Sequence, residues 1–274
     1  MRMLHEIAPH KYNNCYGAKR PPVPKDVALY YDGSMVMMKN HSDSRGCFTF
    51  EQLEPQAMQE AEYIFSIDDT AYYLLENAPQ QEGLEMYPIS SCRELCGTTA
   101  FAFVTGWQFY RFRKEHKFCS CCATPLERHA TDRAYQCPNC GFVCYPKFSP
   151  AILALVTDGD RCMLVRSRRF SSSLSPVAGF VEVGESFEEA VMREVLEEAG
   201  IKVKDVRYIA SQPWSYGDTI MIGFTAKLDG SDKLCAQQSE LLDAGWYHRS
   251  ELEDNRFRDS LGGQLVQWFK EGKL

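Results

Sequence analysis

The chain has 274 residues, 45% of them hydrophobic and 24% charged, with a formal net charge of −7. That length accommodates one large domain or two small ones, and the acidic balance excludes a protein living on broad, nonspecific nucleic-acid contact, which needs many Lys and Arg, while leaving room for a local basic groove. No apolar run of about 18 residues occurs, so no membrane-spanning helix is expected, and the N-terminal stretch lacks an apolar signal core, so a cytoplasmic protein without a membrane partner is expected.

Residues 1–112 read as a first domain. VALYYDGSMVMMKN and TAYYLLENAP are strand-like, bounded by Asp-Gly and Asn/Pro turn signals. EYIFSIDDTAYYLL reads as two strands joined by Ser-Ile-Asp-Asp, and CRELCGTTAFAFVTGWQFYRFRKEH as a helix with apolar residues on a 3–4 spacing, leading into the next unit. Residues 113–147 are too polar and Cys-rich for a core of their own. Residues 148–274 open with the apolar strands PAILALV and RCMLVRS around TDGD, and continue through a Gly-rich loop, an acidic helix, further strands and a C-terminal helix LGGQLVQWFKEG. The mixture predicts an α+β architecture.

The chain holds twelve cysteines. Without a signal peptide, metal is the stronger reading and disulfides the weaker. Cys119, Cys122, Cys137 and Cys140 form C-x2-C pairs able to place four thiolates tetrahedrally around a structural Zn²⁺. Cys121 competes with Cys122, which is preferred because it gives the spacing of the second pair; Cys144 reads as a small buried hydrophobe. Such a zinc leaves no open coordination position and holds together a segment too short to fold alone. The basic, aromatic flank YRFRKEHK leaves a zinc-ribbon RNA-binding role as a competing possibility, against the usual solvated charge run.

The stretch GFVEVGESFEEAVMREVLEEAGI concentrates glutamate. Ser186 and Glu189 form a capping-box pattern that starts a helix near Phe187, and Gly200 is placed to end it. Glu194, Glu197 and Glu198 share one arc, although like charges at such spacings weaken a helix. Met192, Val195, Leu196 and Ala199 form a neighbouring stripe expected to face the core. Arg193 is available to orient the carboxylates, and a hard divalent cation would convert their repulsion into coordination.

Gly179, Glu185, Arg193, Glu194, Val195, Glu197, Glu198, Gly200 and Ile201 match the Nudix box in full. The resemblance implies a C-terminal Nudix α/β/α sandwich and metal-dependent hydrolysis of a nucleoside diphosphate linked to another group. Together with the four-Cys ribbon before it, FYRFRKEHKFC, YPKFSPAILALV, SQPW and DSLGGQLVQWF, the chain resembles the NADH pyrophosphatase (NudC-type) subfamily from about residue 100 onward. The implied division is an N-terminal domain 1–112, a zinc ribbon 113–147 and a Nudix domain 148–274.

Carried over by position, that resemblance puts Mg²⁺ or Mn²⁺ on Glu194, Glu197, Glu198 and Glu240, with the Ala178 carbonyl. Glu198 orients or deprotonates water, and Glu185 and Arg193 support the site. The substrate contacts implied are Phe180, Gln212, Pro213, Trp214, Ser215, Tyr216, Gly217, Asp218 and Thr219, with Tyr145, Asp132 and Gly262. Arg168 and Arg169 are candidates for phosphate contact, with a solvated loop as the alternative. The family's loop has Pro, Phe, Pro and Ser where this chain has Ser215, Tyr216, Gly217 and Thr219, so a looser loop is expected. Ala123 stands where the ribbon often has Gly. The implied reaction is cleavage of NAD(H) to nicotinamide mononucleotide and AMP, with NAD-cap removal from RNA 5′ ends as the same bond cut. Other Nudix substrates, such as ADP-ribose or dinucleoside polyphosphates, compete with it. The family implies a homodimer.

Overall fold

The computed structural model describes residues 3–41, 44–95, 97–168, 173–253 and 259–274. Contacts divide the chain into two compact units. One comprises the chain's first residues, Phe148–Trp214 and Asp218–Leu274; the other comprises Glu6–Lys147 and Ser215–Gly217.

The first unit is built on a six-stranded mixed sheet whose central strand is Ser149–Asp158. Thr219–Leu228 runs parallel to it along one edge. On the other edge, the early residues of the strand pair with Val177–Phe180, and its last residues pair with Arg161–Ser167 across a hairpin. Val203–Trp214 and Leu241–His248 close the two ends of the sheet. AILALV is continuously apolar because both faces of this strand are covered. Ile152, Ala154 and Val156 pack with Ala190, Val191, Val195 and Ala199 of the glutamate helix Phe187–Ala199. Leu153 and Leu155 point the opposite way, to Leu261, Leu265, Val266 and Phe269 of the terminal helix Leu261–Lys270, a core that Met3 also joins. Each fully buried Val, Leu, Ile or Phe among them contributes roughly 1.5–3 kcal/mol of hydrophobic transfer. The expected α/β/α sandwich is therefore the architecture of this unit.

The glutamate helix begins as the sequence indicates. Ser186 accepts from the Glu189 backbone, Glu189 returns a bond to Ser186, and Gly200 ends the helix with φ 73°. The buried stripe differs from the expected one: Met192 and Leu196 are 41% and 47% exposed, while Val191 and Glu198 are buried. At 100° per residue, the packed arc is centred on Val191 and Glu198, so the helix is rotated toward its glutamates.

The second unit holds a five-stranded sheet and a four-stranded sheet. Glu62–Ile67 and Thr70–Leu74 form the expected antiparallel pair. The helix Gly97–Glu115 begins where a short 3-10 segment, Ile89–Glu94, gives way to it. The helix expected from the apolar spacing is present, and its residues from Ala100 to Trp107 are buried on every side, so it is a core helix in its first half.

Glu127–Arg128, Tyr135–Gln136 and Val143–Cys144 make a small antiparallel sheet in this unit. The two C-x2-C turns beside it repeat one geometry. Ala123 N–H donates to the Cys119 carbonyl (2.9 Å) and Gly141 N–H to the Cys137 carbonyl (3.0 Å); Cys119 and Cys137 in turn donate to the carbonyls of Thr124 and Phe142. The residue after the second cysteine is left-handed in both turns, Ala123 at φ 59° and Gly141 at φ 76°. A non-glycine residue is strained there by about 1–2 kcal/mol, part of which a glycine returns through its freer unfolded state. Ala123→Gly should therefore stabilise the protein by about 0.5–1 kcal/mol in a urea melt of the metal-loaded form; a destabilised variant would contradict this account of the turn.

Candidate active site and metal centre

The glutamate site starts with a glycine. A Cβ at Gly179 would lie 1.9 Å from the carboxyl carbon of Glu194, so only glycine lets the strand Val177–Phe180 run beside that carboxylate. The chain then turns through Gly184, and the Glu182 N–H donates to the Glu185 carboxylate (2.9 Å). This folds Glu185 back onto the helix. Arg193 grips it with both ends of its fork, Nε to Oε1 at 2.5 Å and Nη2 to Oε2 at 2.9 Å. The same guanidinium donates to the Phe180 carbonyl (3.0 Å), Glu194 (2.8 Å) and Glu197 (3.1 Å). One planar cation thus ties strand, loop and helix together, which a lysine could not do.

The carboxylates are not equivalent. The paired guanidinium holds Glu185 down at about 2. Glu198 is buried, and among the described residues no guanidinium pairs with it. Burial first, then the charges of Glu194, Glu240 and Glu197, push it up to about 8. Glu194 is also raised, because its burial outweighs the opposing pull of Arg193. A carboxylate ordinarily avoids such a place unless paired. Among the described residues, Arg193 is the cation that bonds these glutamates. A hard, net-negative oxygen set, buried at Glu198 and open to solvent at Glu197 and Glu240, fits a divalent cation of the Mg²⁺ or Mn²⁺ class, which takes carboxylate and phosphate oxygens.

Glu240 lies at the end of the loop before Leu241–His248. Arg168 holds that loop: its N–H donates to the Glu240 carbonyl (2.8 Å) and its Nε to the Gln238 carbonyl (2.7 Å). Arg168 is therefore a loop clamp; Arg169, the other arginine considered for phosphate contact, lies outside the described residues. Ala178 sits in the Val177–Phe180 strand opposite Leu153.

The expected substrate residues separate into two kinds. Phe180 is exposed at its strand end, and Trp214 is half-buried at the end of Val203–Trp214. Gln212 is a correction. Its side chain is buried, with Nε2 donating to the Asp259 carbonyl (2.9 Å) and Oε1 accepting from Leu261 N–H (2.7 Å), so its amide anchors the start of the terminal helix. Nor is Gln212–Thr219 one loop. Gln212, Pro213 and Trp214 pair in register with Met221, Ile220 and Thr219, leaving Ser215, Tyr216, Gly217 and Asp218 as a turn.

Within the second unit that turn is held and not loose. Gln108 donates to the Gly217 carbonyl (3.0 Å), Arg93 lies 4.7 Å over the Tyr216 ring, and Ser215 is buried. Gly217 makes no use of left-handed backbone. Tyr145 donates to Asp132 (2.9 Å), so these two occupy one exposed spot on the small sheet. Gly262 lies in the first turn of the terminal helix, where an added Cβ would meet only ordinary contacts, the nearest Pro176 at 3.7 Å.

The sulfur atoms of Cys119, Cys122, Cys137 and Cys140 all lie within 4.8 Å of one another. Three of the separations are 3.6, 3.5 and 3.6 Å. Bonds of about 2.3 Å in a tetrahedron put sulfurs roughly 3.8 Å apart, whereas a disulfide needs about 2.05 Å. Cys122 joins this group. Cys121 instead donates its N–H to the Cys119 sulfur (3.4 Å), as Cys140 N–H does to Cys137. Cys144 is buried, away from the group. Among the described residues this is the group whose ligand atoms converge so closely; the glutamate oxygens spread wider.

Residues 147–269 match the NUDIX domain family. That stretch of the chain is similar to the Nudix superfamily. Within it, the similarity is to the NudC type: the chain is 45% identical over 161 residues to the NAD-capped RNA hydrolase NudC of Chromobacterium violaceum, covering 58% of this chain and 60% of that one. It is 40% identical over 161 residues to the NudC of Stutzerimonas stutzeri, covering 58% of each. The matches thus span somewhat over half the length of these curated relatives. Among solved structures, a NUDIX hydrolase from Nitrosomonas europaea aligns with a TM-score of 0.49 at 23% identity, covering 57% of this chain and 91% of that one.

Gly179→Ala tests the close approach directly. The added methyl must displace the Glu194 carboxylate, so turnover should fall by at least about 100-fold, the cost expected when a group in an active site is moved by about 1 Å. A fully active, stable Gly179→Ala protein would show that Glu194 is not fixed at this contact.

Proposed function

We propose that the protein hydrolyses the pyrophosphate of NAD(H) to nicotinamide mononucleotide and AMP, and removes NAD caps from RNA 5′ ends by cutting the same bond. The observation that carries this reading is Glu198, buried with charged carboxylate neighbours, two of which, Glu194 and Glu197, Arg193 ties in place. The named activity of the NudC relatives supports the choice of substrate.

Glu194, Glu197, Glu198, Glu240 and the Ala178 carbonyl would hold Mg²⁺ or Mn²⁺. Such an ion lowers the pKa of a bound water and draws charge from phosphate oxygens. Glu198, freed of its own proton when the cation binds, would orient that water or take its proton. Arg193 and Glu185 keep the glutamates in place and do not exchange protons themselves, since their mutual pairing locks both in the charged form. Phe180 and Trp214 offer flat faces to the bases. Zn²⁺ on Cys119, Cys122, Cys137 and Cys140 is structural, because four thiolates leave no open position. A homodimer in the cytoplasm completes the proposal; among the described residues, no helix is long and apolar enough to cross a membrane.

Glu198→Gln should lower kcat by about 10²–10⁴-fold with the fold intact, while Glu189→Gln, which alters only the helix cap, should turn over almost normally. Trp214→Ala should raise KM for NADH about tenfold with little change in melting temperature, because stacking is worth roughly 1–3 kcal/mol per base. The deciding experiment is a product profile over NADH, NAD, ADP-ribose and NAD-capped RNA. Release of nicotinamide mononucleotide from NAD(H) and from capped RNA is expected. Cleavage of ADP-ribose alone would replace this proposal with another Nudix activity.

A further inference from the structure

A narrow cleft lined by aromatic and charged side chains lies entirely within the Glu6–Lys147 unit. It opens to solvent between the Glu62–Ile67 strand, the later turns of the helix Gly97–Glu115 and the Arg128–Tyr135 segment. Three guanidiniums line it, those of Arg113, Arg128 and Arg133. Their partners do not balance them. Arg128 and Arg113 share Glu62, at 2.8 and 3.6 Å, and Arg113 also meets Glu76 at 2.8 Å. Among the described residues, Arg133 forms no ion pair with a carboxylate. It donates to the backbone carbonyls of Ile64 and Asn14 and lies 4.5 Å over the Phe109 ring. Three positive charges therefore face two negative ones.

Tyr63 supplies an independent observation. It is 93% buried, lines the same cleft, and its hydroxyl has no hydrogen-bond partner. Leaving such a hydroxyl unsatisfied costs about 1–3 kcal/mol. One uncompensated positive charge and one unused donor in a single cleft call for a small anion with several acceptor oxygens.

We propose that this cleft binds a phosphate oxyanion, either as inorganic phosphate or as the phosphate of a mononucleotide. A tetrahedral anion can accept from Arg128 and Arg133 on separate oxygens, matching the guanidinium fork, and reach the Tyr63 hydroxyl directly or across one water. This site is separate from the glutamates and does not rest on the activity proposed above.

The test is a thermal-shift and calorimetric titration of the full-length, metal-loaded ribbon protein with inorganic phosphate. No Mg²⁺ or Mn²⁺ is added, so the glutamate site repels the anion, and sodium chloride at matched ionic strength controls for screening. A saturable rise in melting temperature at millimolar phosphate is expected. Arg128→Gln, at a half-exposed position the fold tolerates, should weaken it about tenfold, equivalent to about 1.4 kcal/mol. Tyr63→Phe should weaken it severalfold while raising the melting temperature of the phosphate-free protein. AMP binding as tightly as phosphate would identify a nucleotide's phosphate as the ligand; weaker AMP binding would identify the free ion. No saturable shift in the wild type, or equal affinity in wild type, Arg128→Gln and Tyr63→Phe, would overturn the proposal.

Discussion

The structure of the Nudix unit turns on the burial of one carboxylate. Glu198 sits at the centre of the packed arc of its helix, beside Val191 and Val195, with Glu194, Glu197 and Glu240 as its charged neighbours. In a low-dielectric setting this arrangement disfavours the ionised form of Glu198. Hydrophobic packing of Ala190, Val191, Val195 and Ala199 against the central strand holds the helix there despite that cost. The site is therefore a place where foldability has been given up locally for chemistry, and the surrounding sheet supplies the compensation.

The remaining features follow from keeping that helix in register. Gly179 allows the neighbouring strand to approach Glu194. Arg193 converts a set of repelling charges into a bonded cluster and fastens it to the Phe180 carbonyl and Glu185. Arg168 fixes the backbone before and at Glu240. Gln212, through its buried amide, anchors the helix on the opposite face of the sheet. The four-cysteine group works on the same principle elsewhere: matched turns place four sulfurs at tetrahedral spacing in a segment with little apolar core of its own.

Much of this was legible in the sequence where the rule is local. The capping box at Ser186 and Glu189, the left-handed Gly200, the hairpin at Asp158 and the pairing of Cys122 rather than Cys121 each depend on a few adjacent residues. What was not legible depends on distant partners. Met192 and Leu196 match an apolar stripe, yet tertiary packing rotated the helix and buried Glu198 in their stead. The helix Gly97–Glu115 has a helical period, but nothing in it announces burial on all sides. Gln212 was carried over as a substrate contact by its position in the family's loop; only the fold reveals Asp259 and Leu261 beside it. Met3, far away in sequence, completes the core beneath the terminal helix.

The account is tested most directly by counting protons released when Mn²⁺ binds. Glu198 ordinarily would titrate near 4.5 but is pushed up to about 8, so near neutral pH it carries a proton that cation binding must expel. Calorimetric titrations in buffers of different ionisation enthalpy should give close to one proton released per chain near pH 7, declining toward none above about pH 9, and none from Glu198→Gln. Mn²⁺ binding without proton release near pH 7 would contradict the claim that a buried, protonated Glu198 lies at the centre of the site.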